Sequence, residues 1–232
     1  MRRHNINRKN NEGRLFELAK VYNAKELPLS ELPVENEVLS MVTFGENEDF
    51  FTLKGVVEGI LDNFCNGVKV NYVKSVNSFL HPTRSADIII NGITVGYLGQ
   101  IHPKIIEKLD VDKPIFGCEI FYNELSKFFN EKIVFKAISK FPTVERDIAI
   151  IIDDIVPCAK IVDIIEQEGG QYLDSVKLFD IYQGSQIGEG KKSMAFNLIF
   201  VANDRTLNVE EIDLIIKNIL TALGDKLNAQ LR

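Results

Sequence analysis

The sequence predicts an α+β protein of two domains, the first an antiparallel sheet flanked by helices and the second a β-α-β-β-α-β unit. Two observations support this prediction. Runs of β-branched and aromatic residues alternate with segments of helical periodicity along the 232 residues. Charge also divides the chain: residues 1–140 contain 18 basic and 18 acidic residues, and residues 141–232 contain 9 and 15, so the net charge of −6 falls in the second part. We therefore place the domains at 1–140 and 141–232.

Composition and motif spacing exclude several classes of protein. Hydrophobic residues make up 45% and charged residues 26%, as in folded globular proteins. Apolar runs such as 148–152 are far shorter than the ~20 residues of a membrane span, and the polar N-terminus has no secretory-signal pattern. The expected location is cytoplasmic. The three cysteines and three histidines lack metal-ligand spacing, so we expect neither a disulfide framework nor a metal site.

In the first domain the pattern predicts six strands and two helices. The strands are expected at 14–21, 38–44, 68–75, 86–90, 94–100 and 115–122, and the helices at 53–63 and 103–109. The polar run 78–85 reads as a loop, in which His81 and Arg84 could act as an acid and an anion-binding group. A loop histidine beside proline is more often structural, and no acid or nucleophile partner is evident.

The second domain shows strands at 144–152, 176–183 and 192–201, with the glycine-rich stretch 184–190 as a hairpin connection. A first helix follows Pro157 and stops at Gly169-Gly170. A second begins after Asn208 as N-cap, with Glu211 completing a capping box, and is expected to stop at Gly224 before a closing strand at 226–232. This order is that of ferredoxin-like domains.

Two helices cover one side of such a sheet, so the other side faces solvent or a partner. Alternation predicts a buried set consisting of Ile148, Ile150, Ile152, Phe179, Ile181, Met194, Phe196, Leu198, Phe200, Leu227, Ala229 and Leu231. The predicted open face holds Asp147, Ala149, Asp180, Tyr182, Ser193, Ala195, Asn197, Asn228, Gln230 and Arg232. Such a face could stack a base on Tyr182 and contact it through Asp180, Ser193, Asn197 and Arg232. Because this half is acidic, a merely solvated or protein-covered face is the preferred reading from pattern alone.

Two glycine patterns resemble nucleotide-binding loops without meeting their requirements. The stretch from Gly184 to Lys192 lacks the residues of a Walker motif and precedes a strand. Gly92, Gly96 and Gly99 lack dinucleotide-binding order. From the residues alone no active site is evident.

Several ordered segments resemble the bacterial phenylalanyl-tRNA synthetase beta subunit. In the first domain these are the segments 7–10, 14–18, 49–55, Leu80-His81-Pro82-x-Arg84-Ser85-Ala86 and Gly96-Tyr97-Leu98-Gly99-x-Ile101-His102-Pro103. In the second domain, the segments 141–149, Leu178-Phe179-Asp180-x-Tyr182, 190–196 and 205–207 resemble that subunit's ferredoxin-fold anticodon-binding domain. The resemblance covers nearly the whole chain.

The resemblance implies a C-terminal fragment of that subunit without its editing region. Its first domain would be an inactive class II synthetase-type domain that supports the alpha subunit. In the family, the alpha subunit holds ATP, phenylalanine and Mg²⁺, and two alpha and two beta subunits form a heterotetramer. The partners implied are therefore the alpha subunit and phenylalanine tRNA, with no catalytic or metal-binding residue in this chain.

The resemblance also implies site residues. Ala149, Asp180, Tyr182, Ser193, Asn197 and Arg232 would contact the anticodon, and Arg146, Lys191, Lys192 and Arg205 would contact phosphates. The alternative is a structural or assembly module without tRNA binding of its own.

Overall fold

A computed structural model of the chain describes residues 12–109, 111, 113–130, 135 and 138–232. The segment 7–10, which contributed to the resemblance, and the polar N-terminus lie outside these residues. The chain separates into two compact units, Met1–Val134 and Phe135–Arg232, each with an antiparallel sheet and packed helices. The α+β prediction is confirmed. In the part of the chain that the structure describes, no helix has the length and apolar character needed to cross a membrane.

The first unit contains a six-stranded sheet in the order β1-β2-β6-β5-β4-β3, in which all neighbours are antiparallel. The strands are β1 Gly13–Asn23, β2 Val34–Phe44, β3 Val70–Lys74, β4 Leu80–Ile90, β5 Ile93–Ile101 and β6 Ile115–Phe121. The helices are α1 Phe50–Phe64, α2 Pro103–Lys108 and the single turn α3 Tyr122–Leu125.

Helix α1 covers one face of this sheet. Its N-cap, Asp49, accepts hydrogen bonds from the side-chain hydroxyl of Thr52 and from the backbone N–H of Thr52 at 2.7 Å, and these two bonds lower the pKa of the Asp49 carboxyl. Leu53, Val57 and Leu61 recur at helical spacing and are fully buried in the core of the unit. The helix therefore begins three residues earlier than predicted because the cap at Asp49 stabilises its first turn.

Two glycines let the central strands approach closely. A Cβ atom built on Gly96 in β5 would lie 2.3 Å from the carbonyl oxygen of Glu119 in β6. A Cβ atom on Gly99 would lie 2.7 Å from the Cβ of Ser85 in β4. Close packing of the neighbouring strands therefore explains why Gly96 and Gly99 are glycines in the segment 96–103, which contributed to the resemblance.

The prediction of a loop at 78–85 was wrong over most of its length, because β4 begins at Leu80, which pairs with Ile101. The ring Nδ1 of His81 accepts a hydrogen bond from the backbone N–H of Thr83 at 3.2 Å. Arg84 donates to the side-chain oxygen of Gln100 at 3.0 Å. Both side chains therefore make local contacts within the sheet.

The second unit has a four-stranded sheet in the order β10-β7-β9-β8. Its elements, in chain order, are β7 Val144–Asp153, α4 Cys158–Gly169, β8 Leu173–Tyr182, β9 Lys191–Phe200, α5 Val209–Leu227 and β10 Gln230–Leu231. The predicted β-α-β-β-α-β order is confirmed, with Pro157 as the N-cap of α4.

The core between this sheet and its two helices contains most of the predicted buried set. Ile148, Ile150, Ile152, Met194, Phe196, Leu198 and Phe200 are buried against apolar residues of α4 and α5, and Leu227 and Ala229 are partly buried. Three assignments were wrong: Phe179 and Ile181 are each 54% exposed and Leu231 is 63% exposed. Ile181 and Leu231 lie in the edge strands β8 and β10, where each residue has a neighbouring strand on one side only.

Phe179 is exposed because of a β-bulge. Leu178 of β8 lies opposite Phe196 of β9, and Asp180 of β8 lies opposite Ala195 of β9. Two steps along β8 therefore correspond to one step along β9. Phe179 is thus the extra residue on β8, and Leu178, which is partly buried, packs against the core. After the bulge, Asp180 and Tyr182 lie on the open face, as predicted.

The C-terminal end of α5 also differs from the prediction. Gly224 does not stop the helix, which continues to Leu227 and ends at Asn228 in a left-handed conformation with φ of +53°. The backbone N–H of Asn228 donates to the carbonyl of Gly224 at 2.9 Å, a helix-closing bond. The closing strand therefore shrinks to Gln230–Leu231. At the other end, Glu211 accepts from the backbone N–H of Asn208 at 3.0 Å, which confirms the predicted cap.

Candidate nucleic-acid interface

The strand register gathers the predicted site residues on the open face of the second unit's sheet. Ala195 of β9 lies between Ala149 of β7 and Asp180 of β8. In the neighbouring row, Tyr182 of β8 lies opposite Ser193 of β9. The methyl side chains of Ala149 and Ala195 therefore form a shallow surface, called the alanine floor below. The Asp180 carboxylate and the Tyr182 ring lie along one side of it.

Arg232 closes the cluster from the opposite edge. Its backbone N–H donates to the carbonyl of Ala149 at 2.9 Å, which holds the residue beside β7. Its guanidinium reaches Ser193 Oγ at 3.5 Å and lies 5.5 Å from the centroid of the Tyr182 ring, within cation–π range. The structure thus brings together five of the six predicted contacts: Ala149, Asp180, Tyr182, Ser193 and Arg232.

Ser193 lies on the predicted face but is not exposed there. Ser193 is 2% exposed to solvent, whereas Tyr182 on the neighbouring strand is 36% exposed. The guanidinium of Arg232 hydrogen-bonds the Ser193 hydroxyl, and so the serine is covered by another member of the cluster. The Ser193 hydroxyl is therefore not accessible from the open face with Arg232 in this position.

Asn197, the sixth predicted contact, lies outside the cluster. It is four residues beyond Ser193 on β9 and pairs with Asp147 across the sheet. Its side-chain amide donates to the Asp147 carboxylate at 2.8 Å. The structure therefore assigns this amide a cross-strand hydrogen bond on the same face.

The four predicted phosphate contacts do not share one surface. In the strand register Lys191 lies opposite Asp153, and its side chain is on the open face. Lys192 lies opposite Ile152, and Arg146 lies opposite Leu198. Ile152 and Leu198 are buried against the helices, so Lys192 and Arg146 belong to the helix-facing side of the sheet. The Nζ of Lys192 donates to two carbonyls of the turn after β7, those of Asp154 at 3.0 Å and Val156 at 2.6 Å.

Arg205 forms an internal polar contact at the start of α5. Its guanidinium donates to Glu211 at 2.6 Å and to the hydroxyl of Tyr172 at 3.1 Å. The pKa of Glu211 is lowered, mainly by the hydrogen bond from the Asn208 backbone and also by Arg205. These contacts connect the helix start to the end of the 3-10 turn before β8, which is a structural role.

Sequence reasoning did not include Gly184 in the site. A Cβ atom on this glycine would lie 2.4 Å from the hydroxyl oxygen of Tyr182 and 2.8 Å from its Cζ. The tyrosine ring therefore rests against the backbone of residue 184. A glycine two residues after an exposed aromatic at a strand end is a weak sequence signal, and the glycine-rich pattern 184–190 by itself predicts a hairpin connection.

A separate exposed apolar surface lies on the first unit, along β1 and the connection to β2. Its members are Phe16, Leu18, Tyr22, Leu27, Leu29 and Leu32, with exposed fractions between 56% and 90%. Strand β1 is an edge strand, so one side of its backbone also lacks a partner strand. No group of three side chains suited to a metal ion occurs among the residues that the structure describes.

Comparison with known proteins identifies the family. The family model "Phenylalanyl tRNA synthetase beta chain CLM domain" matches residues 1–122, and the model "Ferredoxin-fold anticodon binding domain" matches residues 139–232. The chain is 37% identical to the phenylalanine–tRNA ligase beta subunit of Clostridium tetani, with 98% of this chain and 29% of the relative covered. It is 36% identical to the beta subunit of Bacillus subtilis, with 99% and 30% covered. It therefore spans about 30% of the length of these relatives.

The two family models agree with the two folded units. The ferredoxin-fold model covers the four-stranded sheet and the open face described above, and the other model covers the six-stranded sheet. The match to the CLM domain model, residues 1–122, extends over more than half of the chain. The chain belongs to the family of phenylalanyl-tRNA synthetase beta chains.

Proposed function

We propose that this chain is a non-catalytic part of a phenylalanine–tRNA ligase, whose second unit binds the anticodon of phenylalanine tRNA on its open sheet face. The observation that carries the proposal is the convergence of Asp180, Tyr182, Ser193 and Arg232 around the alanine floor. The match of the same unit to an anticodon-binding domain family supports it.

Each member of the cluster has a distinct chemical use toward an unpaired base. The Tyr182 ring offers a stacking surface, and such stacking contributes about 1–3 kcal/mol per base. The Asp180 carboxylate accepts hydrogen bonds from base N–H groups, and the Arg232 guanidinium donates to base carbonyls or ring nitrogens. Ala149 is small enough to let a base edge approach the sheet.

The charge of the second unit limits the contribution of phosphate contacts. With 15 acidic and 9 basic residues from position 141 onward, the unit has no overall attraction for RNA. Of the four predicted phosphate contacts, Lys191 shares the face with the cluster. Recognition by this unit therefore depends mainly on base contacts, and overall affinity for tRNA depends on the rest of the assembled ligase.

The proposal assigns catalysis to the partner subunit. The alpha subunit would bind ATP, Mg²⁺ and phenylalanine, and two alpha and two beta subunits would form the ligase. The exposed apolar residues of β1 and the β1–β2 connection support docking of the first unit on protein, because surfaces of this kind mark interfaces. We expect Phe16→Ser, at a residue that is 80% exposed, to reduce co-purification with the alpha subunit without changing the fold of this chain.

The test of anticodon binding is a fluorescence titration of phenylalanine tRNA with this chain at low and moderate salt. The arms are the native transcript and an anticodon-swapped transcript, each with the wild-type protein, Tyr182→Ala and Tyr22→Ala. Tyr22 is an exposed tyrosine of the first unit and serves as the matched control. Preference for the native anticodon that Tyr182→Ala removes and Tyr22→Ala retains would support the proposal.

Equal binding of both transcripts, or the same affinity in Tyr182→Ala as in wild type, would contradict it. No binding by the folded chain, together with co-purification of the alpha subunit in the absence of RNA, would favour the alternative of an assembly module. The exposed surface of β1 is the observation that favours this second candidate.

A further inference from the structure

The position of the Tyr182 ring depends on the absence of a side chain at residue 184. The added Cβ atom would approach three atoms of the ring: the hydroxyl oxygen at 2.4 Å, Cζ at 2.8 Å and Cε1 at 3.2 Å. Ordinary van der Waals contact begins near 3.4 Å, so the hydroxyl end would have to move by about 1 Å. A side chain at 184 would displace the ring from its present place.

The backbone of Gly184 does not itself require glycine. Its φ is −179° and its ψ is 168°, an extended conformation that any residue adopts. A substitution there should therefore leave the local chain path unchanged and act through the tyrosine. This separates Gly184 from Gly188 and Gly190, whose φ values of +92° and +71° favour glycine for conformational reasons.

The ring is also bounded at other points. Its strand neighbour is Ser193, and the Arg232 guanidinium lies 5.5 Å from the ring centroid. Tyrosine has two side-chain torsions, so contacts at Gly184 and Arg232 leave it little freedom. An aromatic side chain that is already ordered loses less entropy when a base stacks on it.

We propose that Gly184 is a positioning residue for base stacking, because the space left by its missing side chain is occupied by the hydroxyl end of the Tyr182 ring. This inference rests on the proposed function, in which Tyr182 stacks on an anticodon base. It adds a residue outside the predicted contact set and assigns it a role through the tyrosine, with no contact to RNA of its own.

The test combines Gly184→Ala with two variants of the tyrosine. Gly184→Ala is expected to weaken binding of phenylalanine tRNA by about threefold to tenfold, a part of the loss caused by Tyr182→Ala. In the Tyr182→Ala background, Gly184→Ala should cause no further loss. In the Tyr182→Phe background the closest atom, the hydroxyl oxygen, is absent, so Gly184→Ala should cause a smaller loss than in wild type.

A second readout follows the ring without RNA. In protein carrying ¹³C-labelled tyrosine, Gly184→Ala should shift the Tyr182 ring signals, whereas Gly59→Ala should not. An added Cβ at Gly59 meets no atom within 4 Å, so this variant is the matched control. An unchanged melting transition of the second unit and unchanged signals from Tyr172, the other tyrosine of that unit, would show that the fold is intact.

The outcomes separate the inference from the proposed function. If Tyr182→Ala binds tRNA as tightly as wild type does, the proposed function is refuted. The ¹³C signals of the Tyr182 ring in the variants at residue 184 then still report whether that residue determines the position of the ring. If Tyr182→Ala weakens binding but Gly184→Ala does not, the positioning role is refuted and the proposed function stands. Equal losses from Gly184→Ala with and without Tyr182 would likewise refute a role through the tyrosine.

Discussion

Replacing Gly96 with alanine should destabilise the first unit by an amount that follows from one distance. The new Cβ would lie 2.3 Å from the Glu119 carbonyl oxygen and 3.1 Å from the Cα of Ile120, both backbone atoms of β6. To reach ordinary contact, β5 and β6 must separate locally by about 1 Å, which stretches neighbouring ladder hydrogen bonds beyond their normal range.

Overpacking of this kind costs about 1–3 kcal/mol, and each weakened hydrogen bond adds about 1 kcal/mol. Removing a glycine from the unfolded chain returns about 0.5–1 kcal/mol. We therefore expect the first unit to lose about 2–4 kcal/mol of unfolding free energy, a large part of the 5–15 kcal/mol typical of a domain.

The assay is urea unfolding followed by hydrogen-exchange mass spectrometry, since two units need not unfold in one transition. Peptides from β5 and β6 should lose protection at lower urea in Gly96→Ala, while peptides from the second unit keep the wild-type midpoint. Gly59→Ala, with open space around the new methyl group, should be neutral or slightly stabilising. A change below about 0.5 kcal/mol in Gly96→Ala would refute the reasoning that this close approach excludes a side chain.

Two further predictions concern titratable groups. Because the folded pKa of Glu211 is lowered, its stabilising contribution is present above its usual pKa of 4.5 and is lost as pH falls through the lowered value. Glu211→Gln should therefore make thermal stability of the second unit depend less on pH between about 5 and 3, and an unchanged slope in calorimetry would contradict this. Burial raises the pKa of the Cys118 thiol to about 12 and also raises that of Cys65, whereas Cys158 is partly exposed. Alkylation of the native chain should label Cys158 first by mass spectrometry, and early labelling of Cys118 would refute its burial.

The sequence predicted the order of elements in the second unit because its periodicities are strong and its caps are standard. Ile148, Ile150 and Ile152 alternate cleanly, and Asn208 with Glu211 marks a helix start by local chemistry. The bulge at Phe179 could not be predicted, because it is defined by pairing with another strand and leaves the local pattern almost unchanged. The extension of β4 to Leu80 has the same origin, since pairing with Ile101 overrides weak local propensity.

The same distinction holds for the candidate site. Alternation assigned Ala149, Asp180 and Tyr182 to the open face, and the register placed them there. The covering of Ser193 by Arg232 depends on a contact between residues 39 apart in sequence. Likewise, the internal hydrogen bonds of Arg205 depend on a neighbour brought close by the fold. A charged residue's type shows that it can bind phosphate, but its partners in the folded chain decide whether it is available.

The bulge in β8 has a consequence for how this domain tolerates changes in length. Side chains of a regular strand alternate between faces, and the extra residue Phe179 allows three residues to separate Leu178, which faces the helices, from Tyr182 on the open face. Deleting Phe179 would restore simple alternation and leave Asp180 and Tyr182 on the open face, whereas deleting Ile181 would turn Tyr182 toward the helices. Deletions among relatives that keep the open face should therefore fall at the bulge or in the glycine-rich connection 184–190 and spare the residues from Asp180 to Tyr182.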